Sequence, residues 1–174
     1  MALIETVKPG AAQGKIREFY AAFEKQTGMI PGPLKLTSAS PGLFDLYTGG
    51  MSYWTSHATL SLEVLACIRY LVARNRGFQA CIEYNGGLLR ARGLTDEALD
   101  ALLADPMTAP VEDRERELIA FVIAAITDPA SATQAGVDAL HQLGWTDHDI
   151  LDATYHGAAL TAMGLLLDIF GPVG

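Results

Sequence analysis

Basic residues are scarce in this chain of 174 residues. Its 12 Lys and Arg residues stand against 20 Asp and Glu residues, which gives a net charge of −8. Nucleic-acid binding requires a cluster of basic side chains that neutralises phosphates, and the arginines here are separated by apolar residues. We therefore expect no nucleic-acid partner and interpret these residues as charges on helix faces: Arg69, Arg74, Arg76, Arg90 and Arg92.

Cysteines, membrane spans and ligand motifs are also few or missing. Two cysteines do not make a disulfide framework. The N-terminal stretch "MALIETVKPG" lacks a basic region followed by an apolar run, so no signal peptide is predicted. The most apolar segment, Gly157 to Phe170, is shorter than a membrane span and indicates a buried core helix. These features predict a cytoplasmic protein with no membrane association.

Cofactor motifs are absent as well. The sequence holds no Gly-rich phosphate loop and no nucleotide-binding fingerprint. Its four histidines show no ligand-like spacing with a cysteine or a carboxylate. We therefore predict neither a cofactor nor a metal.

Helical patterns fill the chain, in which 50% of residues are hydrophobic. The stretch "LSLEVLACIRYLVARNRG" has Ser61 as its N-cap and ends at Gly77. "GLTDEALDALL" and "GWTDHDILDAT" both place Thr as N-cap before acidic residues, which the helix dipole favours. "MIPGPLKLTSASPG" reads as a loop with one short helical turn around Leu34 to Ala39. We predict a single all-α domain over residues 1–174, with about seven to eight helices.

The segment "LSLEVLACIRYLVARNRGFQACIEYNGGLLRARGLTDEAL" resembles the core of the alkylhydroperoxidase D-like, carboxymuconolactone decarboxylase family. That core has a Glu on one helix, Cys-x-x-Cys-x-x-x-His on the next, and then a "GL(S/T)xEE"-type helix start. The resemblance extends over roughly residues 38 to 171. It implies an alkylhydroperoxidase D-like fold and a homo-oligomer.

The chemical motif of the family is only partly present. Phe78 stands where the first Cys belongs, Cys81 falls on the second, and Asn85 replaces the His. Ala66 stands at the usual Glu position, and Glu63 lies one helical turn earlier. Because a second thiol and the proton-transferring groups are replaced, a dithiol–disulfide cycle within the motif is not possible.

Cys81 and Asn85 are the catalytic candidates that remain. They share a helix face at i, i+4, and the amide can donate a hydrogen bond to a thiolate or an oxyanion but cannot transfer a proton. The alternative is an unreactive, buried Cys81 with a solvated Asn85, since free cysteines are mostly buried and inert. Cys67 is interpreted as an ordinary core residue.

Five further residues are pocket candidates: Phe78, Glu63, His57, Trp54 and His156. His57 either forms a pocket wall with Trp54 or is a helix-end histidine stabilised by the helix dipole. His156 is either a catalytic base or a satisfied core histidine.

Three functions remain open. The first is a one-cysteine peroxidase-like or thiol oxidoreductase-like enzyme, in which Cys81 forms a sulfenic acid and an external thiol reductant restores it. The second is an enzyme that acts on a small organic acid or lactone. The third is a catalytically inactive family member that binds a small organic molecule.

Overall fold

The computed structural model describes residues 3–171, and within that range it contains helices and no strands. The prediction of an all-α fold is confirmed. The α-helices are α1 (Gly14–Thr27), α2 (Gly32–Thr37), α3 (Pro41–Thr55), α4 (Leu62–Arg76), α5 (Gln79–Arg90), α6 (Asp96–Ala104), α7 (Asp113–Thr127), α8 (Gln134–Gln142) and α9 (Asp147–Phe170). Short 3-10 turns lie at Pro9–Ala11, Pro106–Thr108 and Pro129–Ser131.

Helix α2 accounts for the difference from the predicted number of helices. The sequence predicted a single helical turn in a proline-rich loop, and the structure has a six-residue helix there. Pro33 occupies its first turn, where the missing backbone N–H is not needed for the helix.

The predicted helix ends are confirmed. Ser61 accepts a hydrogen bond from the backbone N–H of Val64, and Thr95 accepts one from that of Ala98. Gly77 ends α4 in the left-handed conformation, with φ at 73°. These local signals come from side chains and backbone conformations of adjacent residues, which is why the sequence alone was sufficient to place them.

The chain forms two compact units, and the single-domain assignment stays a prediction. One unit comprises the described parts of Met1–Ser56 and Leu165–Gly174. Its core is formed by Ala12, Tyr20, Leu34 and Phe44, and Phe19 packs edge-on against Phe44.

The second unit, His57–Gly164, is built around α4. This helix packs against α5 and α7 and is buried on nearly every side. Helix α9 packs against this core at Gly157. A side chain there would overlap Ile126 and come within 3.1 Å of Ile68. The close approach therefore depends on the missing Cβ atom.

The expectation for the apolar segment Gly157 to Phe170 was wrong in two ways. The segment belongs to a helix of 24 residues, which is long and apolar enough to cross a membrane by length and composition. Only 28% of the apolar window is buried, so the segment is not a core helix. The reason is that α9 packs through a narrow face of small residues and leaves its opposite face exposed.

Candidate functional site

Cys81 is the third residue of α5 and is only 7% exposed. It therefore lies in the first turn of a helix, where unpaired backbone N–H groups favour a negative charge. Cys67 differs, because it lies in the middle of α4 and is fully buried. Burial, with a smaller effect of the Glu63 and Glu115 carboxylates, raises the pKa of the Cys67 thiol to about 11. Cys67 is thus an unreactive core residue.

Asn85 is buried and hydrogen-bonded at both ends of its amide. Its Nδ2 donates to the backbone carbonyl of Cys81 at 2.8 Å, and its Oδ1 accepts from Nε of Arg69 at 2.9 Å. The alternative of a solvated Asn85 was therefore wrong. The side chain connects the turn that carries Cys81 to a cation on the neighbouring helix α4.

Arg69 lies between Asn85 and His156, and we call these three residues the polar triad. Nη1 of Arg69 lies 2.7 Å from Nε2 of His156, which is 7% exposed. Burial, and secondly the charge of Arg69, lowers the pKa of His156 to about 3. The imidazole is therefore neutral near pH 7 and accepts the Arg69 N–H at Nε2, which places its own proton on Nδ1.

The sequence interpretation of Arg69 as a charge on a helix face gave it no partner, and the structure supplies two, Asn85 and His156. The signal that pointed to its true position is the composition of α4, which is apolar around almost its whole circumference. A charge within such a run has no polar face to occupy, so it has to meet polar groups from other helices. Those groups come from α5 and α9.

Phe78 is the N-cap residue of α5 and is fixed in two ways. Its backbone N–H donates to the carbonyl of Ala73 at 3.0 Å, which completes the turn around Gly77 at the end of α4. Its ring packs on the bare backbone of Gly164 in α9, where a Cβ atom would overlap the ring. At i, i+3 from Cys81, the ring lies on the same helix face as the thiol.

His57 is a structural anchor, a role that the sequence did not suggest. Its Nδ1 accepts hydrogen bonds from the backbone N–H groups of Thr59 (3.3 Å) and Leu60 (3.1 Å). The proton therefore lies on Nε2, which is 3.0 Å from Oδ2 of Asp152. The ring thus fastens the segment before α4 to α9.

A cluster of His57, His148 and Asp149 brings possible metal-ligating atoms within 4.8 Å of one another. Sequence spacing did not reveal it, because His57 lies far from the other two along the chain. A cation on Nε2 of His57 would require a proton on Nδ1, which faces two N–H donors. We therefore assign no metal to this cluster.

Asp149 is engaged as a helix cap. Its Oδ2 accepts from the backbone N–H and the hydroxyl of Thr146, and its Oδ1 accepts from the Thr59 hydroxyl. Burial raises the pKa of Asp149, but these hydrogen bonds outweigh burial and leave it below the usual value. The hydrogen bonds of Asp149 therefore fix the start of α9.

Glu63 and Trp54, the two remaining candidates, have other surroundings. The Glu63 carboxylate pairs with Nε of Arg92 at 3.0 Å and is half-exposed. It borders an open groove of about 470 Å³, which is also lined by Ser61, Pro110, Val111, Glu112 and Glu115. Trp54 lies in the other unit, at the end of α3, where it packs edge-on against Tyr53.

Comparison with solved structures identifies the fold. A crystal structure from Ralstonia eutropha JMP134, described as an alkylhydroperoxidase AhpD core and an uncharacterized peroxidase-related protein, superposes with a TM-score of 0.81 at 16% identity. The match covers 98% of this chain and 92% of that one. This chain has the AhpD-core fold.

A second solved structure is also similar. An uncharacterized peroxidase-related protein from Silicibacter sp. TM1040 superposes with a TM-score of 0.77 at 16% identity, over 96% of this chain and 90% of that one. No family model and no curated protein matches the sequence. In the AhpD-like fold of this chain, Ala66 lies in α4, Phe78 caps α5, and Cys81 and Asn85 lie within α5.

Proposed function

We propose that this protein is a member of the AhpD-like family that acts as a one-cysteine thiol oxidoreductase of the peroxidase type. The observation that carries the proposal is the connection from Arg69 through Asn85 to Cys81. It ties a fixed positive charge to the first turn of α5. A helix N-terminus and a nearby cation both stabilise a thiolate, which is the nucleophilic form of cysteine.

In this reaction the Cys81 thiolate attacks one oxygen of a hydroperoxide, ROOH. An S–O bond forms while the O–O bond breaks, and the leaving alkoxide takes a proton from water to give ROH. The sulfur becomes a sulfenic acid, oxidised by two electrons, while the peroxide is reduced by two.

An external thiol completes the cycle, because Phe78 stands where a second cysteine would be needed. One external thiol condenses with the sulfenic acid to give a mixed disulfide and water. A second external thiol attacks that disulfide, releases Cys81 and leaves as the external disulfide.

Protons in this site are exchanged with solvent. His156 is neutral and its Nε2 accepts from Arg69, so that nitrogen does not act as a base. Asn85 has no proton to give at neutral pH. The chain thus replaces proton transfer by electrostatic stabilisation of the thiolate.

The rate of Cys81 alkylation by iodoacetamide, measured against pH in a Cys67→Ala background, tests the proposal. We expect a plateau well below the pH of about 8.5 at which an ordinary cysteine is half ionised. Arg69→Met is expected to move the plateau to higher pH, and Arg69→Lys to move it less because the charge remains. With dithiothreitol as the external thiol, the wild-type protein is expected to consume peroxide, and Cys81→Ser is expected to lose this activity.

Alkylation only after unfolding would contradict the thiol function. It would favour a second candidate, a catalytically altered family member that binds, or acts on, a small organic acid. Two observations support that candidate. The polar triad carries one positive charge and no negative one, and the Thr161 hydroxyl on α9 is buried without a hydrogen-bond partner among the described residues. Calorimetry with benzoate, with benzamide as the neutral control, measures such binding.

A further inference from the structure

Two contacts hold α9 against the helix pair α4 and α5, one on each side of Cys81. In the first contact, the ring of Phe78 at the start of α5 packs on the backbone of Gly164. In the second, the polar triad joins α5 to α9 through Arg69 of α4. All of these residues belong to the same compact unit. The part of α9 between the two contacts therefore lies alongside the first turns of α5.

The spacing of the two contacts agrees along both helices. On α5, Cys81 lies between Phe78 and Asn85, about one turn from each. On α9, Leu160 lies about one turn from each of the two residues that make the contacts. The contacts are about 10 Å apart along α5 and about 12 Å apart along α9, given a rise of about 1.5 Å per residue. Leu160 is therefore the residue of α9 at the level of Cys81.

The direction and the exposure of Leu160 indicate an opening at this level. Successive residues of a helix are rotated by about 100°, so Leu160 points between the directions of His156 and Gly164. Both of those residues are buried. Leu160 is nevertheless partly exposed, and Cys81 at the same level is 7% exposed. A large apolar side chain thus lies in a gap of the packed face of α9, beside the thiol.

We infer that the side chain of Leu160 covers the Cys81 sulfur and limits the size of the molecules that reach it. The inference rests on the proposed thiol function, because a sulfur that reacts with a peroxide and an external thiol needs a path of approach. A leucine side chain can change between staggered rotamers, so a small molecule can pass it. A bulky molecule requires a wider opening than a change of rotamer provides.

Alkylation of Cys81 by two reagents of different size tests this inference in the Cys67→Ala background. Iodoacetamide and iodoacetamidofluorescein form the same S–C bond with loss of iodide, and they differ in bulk. Leu160→Ala is expected to raise the rate of the fluorescein reagent, relative to iodoacetamide, about tenfold, which corresponds to about 1.4 kcal/mol of activation free energy. Leu160→Phe is expected to lower this relative rate, which a general loosening of the fold would not do.

Leu151→Ala is the matched control. Leu151 lies about two and a half turns before Leu160, on the opposite face of α9, and is 68% exposed. Its substitution is expected to leave the relative rate unchanged. Circular dichroism checks that the variants stay folded; if Leu160→Ala does not, Leu160→Val takes its place. A relative rate that does not respond to position 160, or that responds equally to Leu151→Ala, would overturn the inference.

Failure of the thiol function would give a different result. The pH dependence of the iodoacetamide rate reports on the thiolate, whereas the relative rate of the two reagents reports on the cover. A size effect of Leu160 without a plateau at low pH would support the cover and contradict the thiol function. A plateau without a size effect would do the reverse, and a Cys81 that stays unreactive in Leu160→Ala would contradict both.

Discussion

Single residues decide the electrostatics of the Cys81 site, and His156 is the clearest case. An exposed histidine titrates near pH 6.5, whereas the buried His156 beside Arg69 has a pKa of about 3 and stays neutral down to that pH. Its neutral state is what lets Nε2 accept a hydrogen bond from the guanidinium. The same residue therefore links the integrity of the polar triad to pH.

The fold should lose stability through His156 as the pH falls below 6.5. In the unfolded chain the imidazole takes up a proton near pH 6.5, while in the folded chain its pKa is about 3. The unfolded state therefore binds more protons between these values, so acid favours unfolding. The loss is about 1.4 kcal/mol per pH unit, or about 2 kcal/mol at pH 5.

Urea denaturation of the wild type and of His156→Gln from neutral to acid pH measures this effect. Gln keeps an acceptor for Arg69 but does not titrate. As the pH falls, the free energy of unfolding should decrease more for the wild type than for His156→Gln. An unchanged difference across this range would show that His156 is accessible to protons in the folded state.

At the scale of elements, the close approach of α9 to its neighbours depends on two glycines that lack side chains. The ring of Phe78, at the start of α5, packs against the backbone of Gly164. The side chain of Ile126, in α7, packs against that of Gly157. Phe78 thereby becomes a fixed wall on the helix face of Cys81. The sequence showed a Phe in place of a cysteine, and the structure shows which helix receives its ring.

Gly164→Ala should destabilise the protein by about 1–3 kcal/mol, because the new methyl group overlaps the Phe78 ring. The gain in helix propensity of up to about 1 kcal/mol offsets part of this cost. Thermal denaturation of Gly164→Ala, Phe78→Ala and the double variant measures the coupling, and the double variant should recover part of the loss.

Gly87→Ala is the matched control. Gly87 lies within α5, and a Cβ atom there would have no neighbour within 4 Å. The substitution should therefore stabilise the protein by up to about 1 kcal/mol through helix propensity alone. Equal effects of the alanine at positions 87 and 164 would show that the ring of Phe78 does not depend on Gly164.

At the scale of the whole molecule, α9 has two faces with different surroundings, although its sequence is a single apolar run. One face packs within the chain, and four large apolar residues of the helix are exposed: Leu151, Tyr155, Leu165 and Ile169. A helix with both faces apolar needs a second surface to cover it in water. We therefore expect this face to be covered in the homo-oligomer that the family resemblance implies.

The melting temperature of the wild-type protein should therefore rise with protein concentration, as expected when folding is linked to association. The melting temperature of Leu165→Glu should be lower and should not depend on concentration. Scanning calorimetry over a roughly hundredfold range of concentration measures both. A constant melting temperature in the wild type, with a monomer by light scattering, would mean that this face of α9 stays exposed.

The sequence by itself determined the helices and their caps, because capping and helical periodicity depend on neighbouring residues. The fold was indicated by the resemblance of residues 38 to 171 to a known family. It also identified Cys81, Phe78, Asn85 and His156 as residues of interest. It could not assign Arg69 to the site, or recognise His57 as an anchor, because their partners lie 16 to 95 residues away along the chain. Which face of α9 packs and which stays exposed was likewise decided by tertiary structure, since both faces are apolar and only the glycines allow close approach.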